Sequence, residues 1–354
     1  MKEGFVTDGP KVEIRDTPQP KPGPKQVVIR VIVSGSNPKD WKVPKVLPTP
    51  LNQGDDVAGY VHEVGSEVFE FKPGDRVAAF HEMLKPYGSY GEFSLAEQHT
   101  TFHISATTSF EEAATLPLAA MTAAIGLFHS DQLALPAPWT PAKQPIPLVI
   151  YGASSAVGSY ALQFAQRANI HPVIAVAGKA AAHVEKLIDR SKGDSIVDYR
   201  QDDVPGAIRK ALGSEYADSL YHAYDAVSEH NSYVQLGEVL AQSPSKQTGA
   251  AAKITLVLPG RKYEDFPTHV EKHITSVGAS HKGSEDFAYV YFRYIARGVQ
   301  EGWFKPQPHE VVPGGLEGVQ KGLENLRDGK ASATKYVFRI SETPGLEKHA
   351  EAKI

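Results

Sequence analysis

Apolar and polar positions alternate in short runs over the first 120 or so residues. From there the chain switches to apolar runs that alternate with stretches of helical period. Residues 11–15, 26–33, 57–64, 76–80 and 88–95 read as strands. They are separated by the linker Pro18-Gln19-Pro20-Lys21-Pro22-Gly23-Pro24 and by the turn Lys72-Pro73-Gly74-Asp75, so an all-β first unit is predicted. Near Thr108 the pattern becomes helical, with Ser109 as N-cap and Glu112 as its capping-box partner. Strand-like runs then recur at 148–151, 172–177, 195–197, 221–227, 253–258 and 273–277. Alternation of that kind predicts a parallel sheet covered by helices on both faces. Two stretches, 136–147 with five prolines and 242–252, read as surface loops, and the tail returns to strand, helix and strand at 308–312, 316–328 and 335–340.

Candidate chemistry concentrates where the run Leu148-Val149-Ile150-Tyr151 enters Gly152-Ala153-Ser154-Ser155-Ala156-Val157-Gly158. A strand that passes through small residues into a helix presents backbone N–H groups to an anion, and only small side chains let a pyrophosphate approach them. The candidate contacts are Gly152, Ser154, Ser155, Ala156, Val157 and Gly158. Ser155 replaces the middle glycine of the usual G-x-G-x-x-G pattern. Val157, Tyr160, Ala161, Phe164, Ala165 and Ala168 recur at helical spacing and predict one buried face on the helix that follows.

The second strand of the unit ends in Ala177-Gly178-Lys179-Ala180, where an NAD site usually places an acid for the ribose 2′-hydroxyl. A lysine attracts a 2′-phosphate and an acid would repel it. The cofactor predicted is therefore NADPH, with Lys179 on the phosphate and Tyr199 at the adenosine end; Arg200 is an alternative.

Composition narrows the classes further. The 354 residues carry 41% hydrophobic and 22% charged residues and a net charge of −4, without the basic patch of a nucleic-acid binder. No apolar run approaches the roughly 18 residues of a membrane span, so a soluble, cytosolic protein is expected. The absence of cysteine rules out disulfides, thiolate metal ligands and cysteine nucleophiles together.

Several separated segments resemble one family. They are Asn37-Pro38-Lys39-Asp40, Gly54-Asp55-Asp56-Val57-Ala58-Gly59, Val64-Gly65-Ser66-Glu67-Val68 with Phe71-Lys72-Pro73-Gly74-Asp75-Arg76-Val77, Leu116-Pro117 with Met121-Thr122-Ala123, and the nucleotide turn. Together they resemble the medium-chain dehydrogenase/reductase superfamily. The resemblance implies an α/β protein: a GroES-like β-rich catalytic domain, residues 1–123 and 300–354, enclosing a doubly wound Rossmann domain, residues 124–299. Zinc alcohol dehydrogenases of that superfamily carry a cysteine and a histidine ligand around Ser36 and Asp55, and a further cysteine before the Rossmann domain. Here no cysteine exists to complete such a set.

Gly-x-Ser-Ser-Ala-x-Gly and Asn-Pro-Lys-Asp-Trp resemble instead the zinc-free quinone oxidoreductases and the fungal stand-alone enoyl reductases. The activity implied is hydride transfer from NADPH to an activated C=C bond or a quinone. A catalytically silent NADPH-binding protein and a zinc alcohol dehydrogenase are the alternatives. By resemblance Asn37 and Thr122, the latter read at a helix terminus, lie near the nicotinamide as the catalytic pair, and Val227 and Leu258 flank the cofactor. Asp40 holds the Asn37 loop, and Trp41 and Lys42 line the acceptor pocket. His81, Tyr87 and Tyr90 are placed in a pocket-edge loop. The partner expected is a small-molecule substrate, with no nucleic acid and no membrane, acting on a monomer or a homodimer.

Overall fold

The computed structural model describes residues 1–216, 218–245 and 249–346. The chain divides into two compact units, Met1–Met121 together with the chain from Gly278 onward, and Thr122–Val277.

The first unit is built on a long strand that pairs on both sides. β1 (Lys2–Thr7) and β2 (Lys11–Asp16) form an antiparallel ribbon. β3 (Gln26–Gly35) pairs antiparallel with β4 (Asp56–Val64), which pairs with β5 (Arg76–Phe80). β6 (Phe93–Glu97) also pairs with β3, and β7 (Thr101–His103) with β5. Three helices follow in this part of the chain: α1 (Lys39–Lys42), α2 (Phe110–Ala113) and α3 (Pro117–Phe128). The Ser109/Glu112 capping box forms in both directions and starts α2 where the sequence placed it.

The second unit alternates strand and helix. β8 (Leu148–Tyr151), α4 (Ala156–Arg167), β9 (Val173–Ala177), α5 (Ala181–Val184), β10 (Ser195–Asp198), α6 (Val204–Tyr216), β11 (His222–Asp225), α7 (Ser232–Val239), β12 (Ala252–Leu256) and β13 (Val270–Ile274) follow in chain order. All pairings are parallel, in the order β10-β9-β8-β11-β12-β13. β8 and β9 are buried along their whole length, as a sheet covered on both faces requires. The chain winds one way from β8 to β10 and the other way from β11 to β13, so the order reverses between β8 and β11.

The remaining chain, α8 (Glu285–Glu301), β14 (His309–Val311), α9 (Gly318–Arg327) and β15 (Lys335–Arg339), rejoins the first sheet through β15 on β3. The boundary between units falls at 277/278, whereas the sequence placed it at 299/300. α8 accounts for the difference. Its Phe292 stacks on Phe102 of β7 at 5.3 Å, and its Arg293 pairs with Glu70 and donates to the carbonyl of His99 at 3.1 Å.

Three other expectations shift. The strand expected at 88–95 begins only at Phe93, because a Cβ at Gly88 would meet the Gly54 carbonyl oxygen at 2.5 Å and Ser89 N–H donates to that oxygen. The strand expected at 273–277 is β13, ending at Ile274, since Thr275 turns into a buried hydrogen-bonded group with Thr255 and Gln132. β1 was not anticipated. The stretch 136–147 is loop, and 242–252 falls partly outside the described residues.

Replacing Phe292, fully buried, by alanine leaves a cavity beneath α8 and should destabilise the first unit by about 3–5 kcal/mol. Urea unfolding followed by a probe in that unit checks the value.

Candidate active site

The nucleotide turn stands at the carboxyl end of β8, beside the point where strand order reverses, which is where open α/β sheets bind their ligands. Gly152 adopts φ +74, and a Cβ there would meet Val227 Cγ2 at 2.4 Å. A Cβ at Gly158 would lie 2.2 Å from the Gly152 carbonyl oxygen. These two glycines therefore let the turn fold tightly against β11 and against α4.

Ser155 is extended and caps α4, its Oγ accepting the Gly158 N–H at 3.1 Å. The first helical turn leaves the N–H groups of Ala156 and Val157 without intrahelical partners, and residues 154–157 are partly exposed. Val157 belongs to this accessible end, whereas Tyr160, Ala161, Phe164, Ala165 and Ala168 are fully buried. The face predicted for α4 is thus correct except at its first residue.

Asp225, at the end of β11, accepts Val227 N–H at 3.0 Å, Ser228 N–H at 2.8 Å and Ser232 Oγ–H at 2.6 Å. Burial pushes its carboxyl up, outweighing these bonds. The bonds fix the loop that carries Val227 against Gly152. Leu258 follows β12, and its carbonyl accepts the Tyr263 hydroxyl at 3.0 Å.

At the far end of the turn Lys179 is exposed, and Tyr199 covers Gly178 so closely that a Cβ there would lie 2.5 Å from its ring. Tyr199 also approaches the Tyr151 ring, 6.5 Å between centroids. Arg200 is held by its neighbour Asp198 at 2.5 Å, whereas Lys179 is exposed. A dinucleotide fits these residues: small where its backbone approaches, amide-rich at the helix start, and without an acid at the end of β9.

The first unit holds a second constellation. Asn37 N–H donates to Asp40 Oδ2 at 2.7 Å, and its carboxamide is committed at both ends, donating to Asp56 Oδ2 at 2.7 Å and accepting from Lys335 Nζ at 3.1 Å. Lys335 also pairs with Asp56, whose other oxygen accepts Leu118 N–H at 2.7 Å. Lys39 Nζ lies 2.9 Å from Asp40 Oδ1 and 2.5 Å from Asp55 Oδ2. Asp55 Oδ1 faces His81 Nδ1 at 2.9 Å, and His81 Nε2 faces the Pro86 carbonyl at 3.0 Å.

Burial pushes the Asp40 carboxyl up, to about 6, although Lys39 pulls the other way. Burial acts likewise on Asp55, but there Lys39 and the His81 hydrogen bond prevail and the carboxyl is lowered.

Asp40 holds the Asn37 loop as expected. His81 and Tyr90 lie in the interior of the first unit. They are 1% and 0% exposed, and Tyr90 donates its hydroxyl to Asp40 Oδ2 at 2.7 Å, so both brace the loop from inside the core. Tyr87 is half-buried, and its carbonyl accepts Leu95 N–H and Ser94 Oγ–H.

Trp41 and Lys42 are half-buried on α1, with the Lys45 and Lys42 ammoniums 4.5 and 5.5 Å from the Trp41 ring centroid. Thr122 stands within α3 rather than at a helix terminus, because the helix that begins at Pro117 continues to Phe128; its carbonyl accepts the Tyr224 hydroxyl at 2.8 Å. Asn37 and Thr122 fall in different compact units. Sequence reasoning overlooked Asp56 and Lys335, which lie 279 residues apart and leave no local signal.

A catalytic zinc does not fit the residues around Asp55. Its two oxygens are taken by Lys39 and His81, both nitrogens of His81 are engaged, and Ser36 donates to the Tyr336 carbonyl at 2.9 Å.

Residues 23–147 match the alcohol dehydrogenase GroES-like domain. The chain is 47% identical over 324 residues to the trans-enoyl reductase fsr4 of Gibberella fujikuroi, covering 90% of this chain and 92% of that protein. Among solved structures it resembles the quinone oxidoreductase from Coxiella burnetii, with a TM-score of 0.73, 22% identity and coverage of 96% and 99% of the two chains. It also resembles the CurK enoyl reductase, with a TM-score of 0.72, 19% identity and coverage of 95% and 98%.

The raised Asp40 carboxyl has a signed consequence. Its contribution to stability is fully present below about pH 4 and is lost as pH rises through about 6. The stability difference between the protein and its Asp40→Asn variant should therefore decline from pH 4 to 6.5 in urea titrations; a flat or rising difference contradicts the assignment.

Proposed function

We propose, from the premise that this chain belongs to the medium-chain dehydrogenase/reductase superfamily and within it to the branch of trans-enoyl reductases and quinone oxidoreductases, that it reduces an activated C=C bond, in an enone or enoyl group, or a quinone, using NADPH and no catalytic metal. Support for the phosphorylated cofactor comes from one place. β9 ends in Ala177-Gly178-Lys179, with an exposed lysine where a 2′-hydroxyl reader would be acidic.

The cofactor supplies the hydride when bound. The amides of Ala156 and Val157 at the start of α4 hold its pyrophosphate, Lys179 pairs with the 2′-phosphate, and Tyr199 flanks the adenosine. Val227, fixed by Asp225, and Leu258 border the cofactor. A conjugated acceptor delocalises the arriving charge onto its own oxygen, so the protein's task is chiefly to position it. By family resemblance Asn37 and Thr122 serve the nicotinamide end, and Trp41 and Lys42 the acceptor. The buried bonds of Asn37 make it a fixed point rather than a mobile side chain.

Two experiments test this reading. Lys179→Ala should raise KM for NADPH about 10- to 100-fold and leave KM for NADH within about twofold, an effect sized for a charge-assisted phosphate contact. NADPH oxidation with a panel of enones and quinones, before and after dialysis against a chelator, should show turnover that survives the treatment. NADPH binding without turnover across the panel favours a silent nucleotide-binding protein. Chelator-sensitive turnover would restore a metal to the mechanism.

We further propose that the protein is a monomer. β13, at the edge of the second unit's sheet, exposes Glu271 and Lys272 and carries the ion pair of Lys253 with Glu271, charges that resist strand-to-strand pairing. Light scattering should return the mass of one chain.

A further inference from the structure

Lys39 places a charged ammonium where the chain is otherwise closely packed. It donates to the Gln53 carbonyl at 2.5 Å and stands in ion-pair contact with Asp55 Oδ2 at 2.5 Å and Asp40 Oδ1 at 2.9 Å. An ammonium is strongly hydrated, and burying it costs several kcal/mol unless its partners return that amount.

The return is spread over three segments. Each aspartate keeps its second oxygen for the surrounding chain. Asp40 Oδ2 collects Asn37 N–H and the Tyr90 hydroxyl, both at 2.7 Å, and Asp55 Oδ1 faces His81. One positive charge thus joins residues 37–42 to residues 53–55 and, through the aspartates, to residues 81–90. Bound divalent cations hold loops in the same manner, with carboxylate and carbonyl oxygens around the charge and the outer oxygens oriented by further hydrogen bonds.

We propose that Lys39 is a positioning residue whose ammonium occupies the place of a bound cation, fixing the Asn37 loop through Asp40 and Asp55. The oxygens around it, two carboxylates and a carbonyl, are the donor set of a hard cation such as Mn²⁺. Only the kinetic part of the test rests on the reductase reading.

Lys39→Ala vacates the charge and leaves the oxygens. In metal-free buffer this variant should melt below the native protein. With MnCl₂ it should bind one Mn²⁺ per chain, visible in the EPR spectrum, and recover most of the lost melting temperature. The native protein and Lys39→Ala/Asp55→Asn should show neither effect. Lys39→Met, which keeps the stem and removes the charge, should lower kcat for NADPH oxidation with an enone about tenfold or more while KM for NADPH stays within about twofold, since the nucleotide turn belongs to the other unit. A Lys39→Ala protein that Mn²⁺ neither binds nor stabilises, or one as stable as the native protein without metal, overturns the proposal. If the native protein turns over no acceptor, the reductase reading fails while the Mn²⁺ measurement still decides the role of Lys39.

Discussion

The first unit depends on charge neutralisation in its interior. Asp40, Asp55 and Asp56 are fully buried, and two lysines, Lys39 and Lys335, are the cations that face them. Three carboxylates against two ammoniums leave an excess of negative charge, which N–H and O–H donors absorb: Asn37 and Leu118 through their backbones, Tyr90 through its hydroxyl. Removing either partner of such a pair strands a charge in a low dielectric and costs about 3–5 kcal/mol, as much as truncating a large core side chain. The segments that carry these groups include α1, the start of β4, the loop before β6 and the first residue of β15, so electrostatics hold together pieces that the sheet alone connects loosely.

A different constraint governs the second unit. There the requirement is closeness of backbone to backbone, met by removing side chains rather than by pairing charges. Gly152 and Gly158 have no room for a Cβ, and Asp225 locks the loop that fills the space beside Gly152. The result is a close approach of backbone to backbone at the start of α4, with Lys179 and Tyr199 exposed at the far end.

Much of this was legible because it is local. The capping box at Ser109, the apolar run of β8 and the small-residue turn each lie within a dozen residues and follow from propensity and spacing. What escaped depends on distant partners. Nothing near Phe292 shows that its ring stacks on Phe102, and so α8 was assigned to the wrong unit. Nothing near Lys335 shows that it completes the bonding of Asn37. Nothing near Tyr90 and His81 in a pocket-edge loop shows which partners orient them. Their burial follows from the Asp40 and Asp55 carboxylates, and a buried carboxylate draws donors inward.

Ser155 shows how a departure from a motif is accommodated by physics. A glycine at that position lets backbone approach the pyrophosphate without obstruction. The serine keeps the side chain small and turns its hydroxyl back to Gly158 N–H, so the helix is capped by its own chain. One amide of the first turn is thereby withdrawn from an anion, while those of Ala156 and Val157 stay available. A helix cap is typically a contribution of about 1 kcal/mol, present whether or not a ligand is bound. The substitution exchanges one amide open to an anion for a helix start that is ordered beforehand.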